Sequence, residues 1–256
     1  LPGIDRTSGL PAYRQLADQL RSQIRSGEYA PGARLQSERE LSDRHGTSRV
    51  TVRQAIAELR AEGLIVAEHG RGLYVRQRPA VQRLGRSRLS KGERDAGRGT
   101  FVSDAQAQRF TPKVEVEIRT EEADARTAEF LQLADGGSVL VRDRLMFADD
   151  HPVQIARSRL PLDLVQGTAI AEPDTGPGGI YARLAELGRE PTHFVEMVSA
   201  RMPTPEEASA LQLVDGTPVV LVTRVAYDDR NRPVEVNSMV LAADRYELVY
   251  EISGDS

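Results

Sequence analysis

The sequence predicts an α+β chain in two parts, a small N-terminal unit of three helices closed by a β-hairpin and a larger antiparallel sheet with flanking helices. Three observations predict it. Apolar residues recur at helical spacing through the first sixty positions and then switch to short β-prone runs. A pattern in the second half of the chain occurs twice, and charge is distributed unevenly between the two parts. The 256 residues suffice for two domains, and 39% hydrophobic with 28% charged residues is the balance of a globular protein.

From Pro11, Leu16, Leu20 and Ile24 recur every four positions with Tyr13 and Ala17 on the same flank, so a helix runs to Gly27. After the Pro31-Gly32 turn, Ser37-Glu38-Arg39-Glu40 forms a capping box that opens a short helix ending at Gly46. Ser48 caps a third helix, with Val52, Ile56 and Leu59 inward and Gly63 at its close. Leu64 to Ala67 and Leu73 to Val75 make a hairpin about the turn His69-Gly70-Arg71-Gly72. The break Gly46-Thr47-Ser48 between the second and third helices makes this a winged helix-turn-helix.

Residues 77–100 are rich in Arg and Gly without an apolar period and read as an exposed linker. Beyond them, Leu131-Gln132-Leu133-Ala134-Asp135-Gly136, a β run from Val139 to Phe147, a turn at Asp149-Asp150 and Pro152-Val153 are echoed. The echo is Leu211-Gln212-Leu213-Val214-Asp215-Gly216, Val219 to Tyr227, a turn at Asp228 to Asn231, and Pro233-Val234. Arg144 and Arg224 occupy equivalent places in the two copies. Each copy reads as a short helix (Ala123 to Leu131; Pro205 to Leu211), an Asp-Gly turn and a long hairpin. With Val114 to Thr120, Phe194 to Arg201 and Leu248 to Ile252 as further strands, the second part is an antiparallel sheet with helices. The expected domains are 1–76, a linker 77–100, and 101–256.

The net charge of −4 hides an asymmetry. Residues 1–76 carry 12 Lys+Arg against 9 Asp+Glu, residues 77–100 carry 7 against 2, and the remainder 15 against 27. A basic end joined to an acidic domain is the pattern of a chain that meets a polyanion at one end. Arg49 and Arg53 lie one turn apart at the start of the third helix, the end that enters the major groove in helix-turn-helix docking. Arg takes the guanine O6/N7 edge bidentately, while Ser48, Thr51 and the helix N-terminus suit phosphates or base edges. Arg39 sits where the second helix crosses the DNA backbone. On the wing, His69, Gly70 and Arg71 offer a donor and a cation beside glycines that let the backbone approach a minor groove. Any one of these arginines reads ordinarily as a solvated surface group; four cationic positions in the right places of one winged helix favour DNA. In the acidic part, Arg142 and Arg144 project from one face of a strand. They suit either an anionic ligand in a cavity or ion pairs within the sheet.

The runs Leu35 to Leu41, Ser48 to Ala55, Glu62 to Ile65 and Gly70 to Val75 resemble the GntR family of bacterial transcription regulators. Arg142-Asp143-Arg144, Pro152-Val153, Leu160-Pro161, Gly179-Ile180-Tyr181 and Asp244-Arg245-Tyr246 are similar to the UTRA effector domain of the HutC subgroup, which has a chorismate-lyase-like fold. The resemblance implies a cytoplasmic homodimeric repressor of a palindromic operator, relieved by a small molecule. It puts DNA contacts at Arg39, Ser48, Arg49, Thr51, Arg53, His69, Gly70 and Arg71, and an effector pocket around Thr100, Phe101, Arg142, Arg144, Tyr181, Glu235 and Tyr246. Members that bind sugar phosphates carry Ser and Glu where this chain has Gly179 and Ala156, which argues against an amino-sugar phosphate. The basic linker and Gly97-Arg98-Gly99-Thr100-Phe101 also resemble actinobacterial repressors of plasmid transfer functions, which would need no small-molecule effector.

Other readings fail on the residues. Zero cysteines remove disulfides, thiolate metal sites and thiol nucleophiles together and suit a reducing cytosol. His45, His69, His151 and His193 show no ligand spacing, so no metal or cofactor is expected. Gly70-Arg71-Gly72 has Val75 where a dinucleotide-binding turn needs its third glycine. The Asp doublets fall at hairpin turns, and no Gly-x-Ser-x-Gly elbow occurs. An enzyme on a chorismate-lyase-like sheet is the competing class, but nothing pairs a nucleophile with a base. No run of apolar residues is long enough to cross a bilayer and the N-terminus lacks a signal-peptide core, arguing against membrane anchoring and secretion.

Overall fold

The computed structural model describes Ile4, Asp5 and residues 7–68, 72–76, 81–84 and 100–250. It divides into two compact units, Leu1–Arg78 together with Val214–Thr217, and the rest.

In the first unit, α1 (Ala12–Arg25), α2 (Glu38–His45) and α3 (Arg49–Ala61) precede an antiparallel pair, β1 (Ile65–Glu68) and β2 (Gly72–Val75). Leu16, Leu20, Leu41, Val52, Leu59 and Ile65 share one core, with Val75 of the hairpin sealing it. Sequence dictates the helix ends. Ser37 Oγ accepts from the Glu40 N–H at 3.3 Å while the Glu40 carboxylate accepts from the Ser37 N–H at 2.8 Å. Gly46 takes a left-handed turn (φ 59°) that ends α2. Ser48 then caps α3, accepting from the Thr51 N–H at 3.1 Å. Arg21 of α1 pairs with Glu58 and Glu62 at the far end of α3, fixing the angle at which α3 is held.

The second unit is built on a six-stranded antiparallel sheet in the order β4-β5-β6-β9-β8-β7. Its strands are β4 (Pro112–Glu122), β5 (Ser138–Ala148), β6 (His151–Pro161), β7 (His193–Arg201), β8 (Val219–Tyr227) and β9 (Pro233–Ala242). The order reads the same from either end because the two sequence copies form the two halves, meeting where β6 pairs with β9. Local details repeat as well. Asp124 caps α5 (Ala125–Leu131) and Thr204 caps α8 (Pro205–Ala210). Gln132 and Gln212 follow in the left-handed region, then Gly136 and Gly216 at positive φ. Asp149 and Asp150 both have positive φ, as a two-residue hairpin of the primed type requires.

One face of the sheet carries Val139, Val141 and Val225 against Leu131 and Phe130 of α5. The other carries Leu140, Leu160 and Ala226 against α6 (Leu162–Val165), a 3₁₀ turn (Ala169–Ala171) and α7 (Gly179–Glu186). Phe101 of α4 (Thr100–Gln108) packs on this second face beside Met146 and Met239.

Two expectations are corrected. Within the segment expected to be an exposed linker, β3 (Val81–Leu84) is a strand with Val81 fully buried, and α4 begins at Thr100. The apolar signal in that strand is Val81 and Leu84 alone, too short to show a period. The strand expected at Leu248 to Ile252 is β10 (Tyr246–Val249), which pairs in parallel with β3 in a sheet of its own. The Tyr246 and Val81 side chains, not a place in the main sheet, fix it, because both are buried in the same cluster. Ile252 and most of 77–99 lie outside the described residues.

Ser37→Ala removes one arm of the capping box and is expected to cost about 1 kcal/mol, read from chemical denaturation. The Asp124 carboxyl is held below its ordinary pKa chiefly by the backbone N–H of Thr127. Its ionised form therefore stabilises the fold above the carboxylate range, and that contribution is lost as pH falls through the lowered pKa. Asp124→Asn should flatten this part of the stability profile between neutral pH and about pH 3.

Candidate DNA interface and ligand cavity

On the first unit, the capping of α2 and α3 leaves one set of cations facing solvent. The Arg39 side chain is 78% exposed, with only a long ion pair to Asp43 at 3.9 Å. Arg49 opens α3, is exposed, and among the described residues makes no hydrogen bond or ion pair. Arg53 is 66% exposed and donates to Glu38 at 2.8 Å, so α2 steadies its fork without burying it. Ser48 and Thr51 are spent on the cap, their hydroxyls 2.9 Å apart. The expected wing contacts His69, Gly70 and Arg71 lie outside the described residues.

The outward face of α3 holds three residues that the sequence reading passed over. Val50, Arg53, Gln54 and Ala57 stand at i, i+3, i+4 and i+7, all exposed, with Val50 at 65%. The signal was present as the complement of the buried stripe Val52, Ala55, Ile56 and Leu59.

On the second unit, a cavity of about 560 Å³ lies on the sheet face covered by α4, α7 and the 173–179 turn. A polar row forms its floor. In register across all six strands stand Ile118, Arg142, Ser158, Asn237, Arg224 and Glu196. Arg144 lines the cavity beside this row, and the three guanidiniums are held differently. Arg142 is spent on backbone, donating to the carbonyls of Ile170 (2.6 Å), Glu172 and Pro173 (2.9 Å), which carry the turn over the cavity. Arg224 donates to Glu196 at 2.7 Å and lies over the Phe194 ring. Arg144 has one partner among the described residues, Ser158 Oγ, and its buried Nε has none.

Burial, reinforced by Arg144, pushes the Arg142 pKa down to about 10, which leaves it cationic at neutral pH. Burial also lowers that of Arg144, opposed by Glu235. The Tyr181 hydroxyl donates to Glu235 at 2.7 Å, and burial with the neighbouring carboxylate keeps that phenol protonated well above its ordinary range. Glu235 is itself 1% exposed.

Of the seven residues expected to form a pocket, Phe101, Arg142, Arg144, Tyr181 and Glu235 line the cavity. Thr100 opens α4 one residue before Phe101. Tyr246 does not reach the lining; it is buried behind it with Val81 and Leu241, because β10 leaves the main sheet to pair with β3. Arg224 and Asn237, both in the lining, were missed. The repeat pointed to Arg224 as the counterpart of Arg144. Strand arginines bridged to carboxylates on neighbouring strands occur on both faces, Arg224 to Glu196 in the cavity row, and Arg119 and Arg157 flanking Asp143 on the other. Among the described residues, no group of His, Asp and Glu could hold a metal ion and no helix is long and apolar enough to cross a membrane.

A helix-turn-helix with exposed cations, joined in one chain to a sheet that encloses an arginine-floored cavity, defines a DNA-binding regulator with a small-molecule-binding domain. Comparison with known proteins identifies which. Residues 12–75 match bacterial regulatory proteins of the gntR family and residues 107–247 match the UTRA domain. An HTH-type transcriptional regulator of Streptomyces coelicolor, SCO4628, is 34% identical over 94% of this chain and 92% of its own. The HTH-type transcriptional repressor NagR of Bacillus subtilis is 28% identical over 96% of this chain and 97% of its own. The crystal structure of a GntR-family transcriptional regulator superposes with a TM-score of 0.67 at 26% identity, covering 96% of this chain and 98% of that one. The chain belongs to the gntR family of transcription regulators, with a UTRA domain as its second unit. These relatives are named as transcription regulators, not as enzymes.

Tyr181→Phe leaves the buried Glu235 carboxylate without its donor and is expected to destabilise the fold by about 1–3 kcal/mol. A thermal melt against wild type checks it.

Proposed function

We propose that the protein is a cytoplasmic homodimeric repressor that binds a palindromic operator and is released from it by a small anionic molecule held in the cavity. The observation that carries the DNA half is the solvent-facing set on α2 and α3, where Arg49 is unpaired and Arg53 is steadied from outside the groove-facing side. In this reading Arg49 and Arg53 read base edges, Ser48 and Thr51 present the helix N-terminus to phosphate, and Arg39 grips the backbone. His69, Gly70 and Arg71 approach the minor groove. Gln54 suits an adenine edge and Val50 a thymine methyl. The naming of one relative as a repressor supports the sign of regulation.

The ligand half rests on Arg144, a half-buried guanidinium with donors to spare, which lines the cavity with Phe101, Tyr181 and Glu235. Arg142 shapes the site by holding the turn above it, and Thr100 starts the helix that covers one side. Residues 1–76 form the DNA-binding domain and 101–256 with β3 the effector domain, which also supplies the dimer contact; the rest of 77–100 is the basic connection between them. Linkage requires the ligand to prefer the arrangement that binds DNA poorly.

Arg49→Ala is expected to cost roughly 1–3 kcal/mol of operator affinity and to relax preference at one position of each half-site, whereas Arg39→Ala weakens all duplexes alike. Binding to the selected operator and to a scrambled duplex at one salt concentration checks this, and equal affinity for both would refute sequence-specific binding. Sedimentation of residues 101–256 at micromolar concentration tests the dimer contact; a monomer there removes it.

A further inference from the structure

The two halves of the sheet are copies, yet the charge they place on the cavity floor differs. Arg224 stands directly opposite Glu196 on the edge strand of its half and is neutralised by it. Arg144, its counterpart, stands directly opposite Val116 on the edge strand of the other half. Directly opposed residues of an antiparallel pair bring their Cβ atoms within roughly 5 Å, the distance at which a carboxylate would close on the guanidinium. Val116 therefore withholds from Arg144 the partner that Glu196 gives Arg224.

The rest of the lining fixes what complements that gap. Arg142 has its fork on three carbonyls. Glu235 and Asp174 both line the cavity, so the three guanidiniums face two carboxylates there and Glu196 behind Arg224. Three guanidiniums against three carboxylates leave the lining neutral overall, so one negative charge is met locally by Arg144 while a second faces net repulsion. On the same sheet face, two strands from Arg144, β9 offers acceptors: Glu235, with Tyr181 as its one hydrogen-bond donor among the described residues, and Asn237, whose buried Oδ1 has no partner. Between these poles the walls are Phe101, Val102, Val114, Val116, Met146 and Ile180.

We propose that Val116 sets the ligand class, and that the cavity takes a small carboxylic acid with one hydroxyl or amine and an apolar frame, the carboxylate on Arg144 and the donor on Glu235 and Asn237. The assignment rests on the reading of the cavity as the effector site and narrows it to hydroxy and amino acids over phosphate esters. A cavity of about 560 Å³ encloses one such molecule.

The test uses the full chain, Val116→Glu and the uncharged control Val116→Gln. Without ligand, Val116→Glu should melt above Val116→Gln, because its carboxylate neutralises the Arg144 guanidinium as Glu196 does that of Arg224; equal melting would overturn the pairing. Wild type is then titrated with leucine, phenylalanine, phenyllactate and 2-hydroxyisocaproate, and with glucosamine 6-phosphate and inorganic phosphate as comparators. At least one hydroxy or amino acid should stabilise wild type, with neither phosphate doing so. Its apparent Kd should rise about tenfold or more from Val116→Gln to Val116→Glu, an isosteric pair that differs only in charge. Stabilisation by the phosphates alone, by none of the six, or equally in Val116→Glu and Val116→Gln overturns the class assignment. If a wider metabolite library then yields a compound that frees wild type from its operator, the effector reading survives that failure; if it yields none, both fall.

Discussion

The second unit depends on the antiparallel contact between β6 and β9, because neither half encloses anything alone. Each copy is a helix and three strands with one face to cover. Joining them at β6·β9 aligns Ser158 with Asn237 and so carries one continuous row from Ile118 to Glu196. A slip of one residue at that seam would send the side chains of one half to the opposite face, splitting the row and exposing half the core. Register there is enforced from both sides, by Val139, Val141 and Val225 against α5 and by Leu140, Leu160 and Ala226 against the helices of the cavity face.

Holding guanidiniums in such a floor is costly, and the chain meets the cost in distinct ways. Backbone carbonyls satisfy Arg142 without adding charge, so the same contacts that solvate it also tie down the turn that follows Ala171. A carboxylate satisfies Arg224. Tyr181 stays a neutral phenol and donates to Glu235, so that this deeply buried carboxylate is itself hydrogen-bonded. Such networks contribute more to fixing one arrangement of side chains than to net stability. A binding cavity needs that definition, since its groups must already point at the ligand before it arrives.

Much of this was legible in the sequence, for reasons that are local. The Ser37 box, the Ser48 cap and Gly46 encode the helix-turn-helix within a few residues of each element, and the structure places the ends there. The repeat disclosed two hairpins, and alternation put Arg142 and Arg144 on one face. What stayed hidden depends on distant chain. No pattern near Arg142 reveals that its partners are carbonyls about thirty residues on, because a carbonyl is present at every position and only the path of the turn selects three of them. Tyr246 was misplaced for the same kind of reason: whether a C-terminal strand joins the main sheet or a separate pair is decided by a partner far away, β3, whose own signal is Val81 and Leu84 alone. Glu196 and Val116 carry meaning only once the sheet order sets each beside an arginine.

The pairing of β3 with β10 has a temporal side. The two strands are separated by about 165 residues, so this contact is the most non-local in the unit and its loop is closed late. On the ribosome, the DNA-binding unit emerges and has its whole core in hand while the strand that must hold β3 has not yet been made. A nascent or prematurely ended chain thus has a formed helix-turn-helix before its ligand-binding half is tied in. The order of synthesis separates the completion of the two units in time, and the last strand made is the one that closes the second.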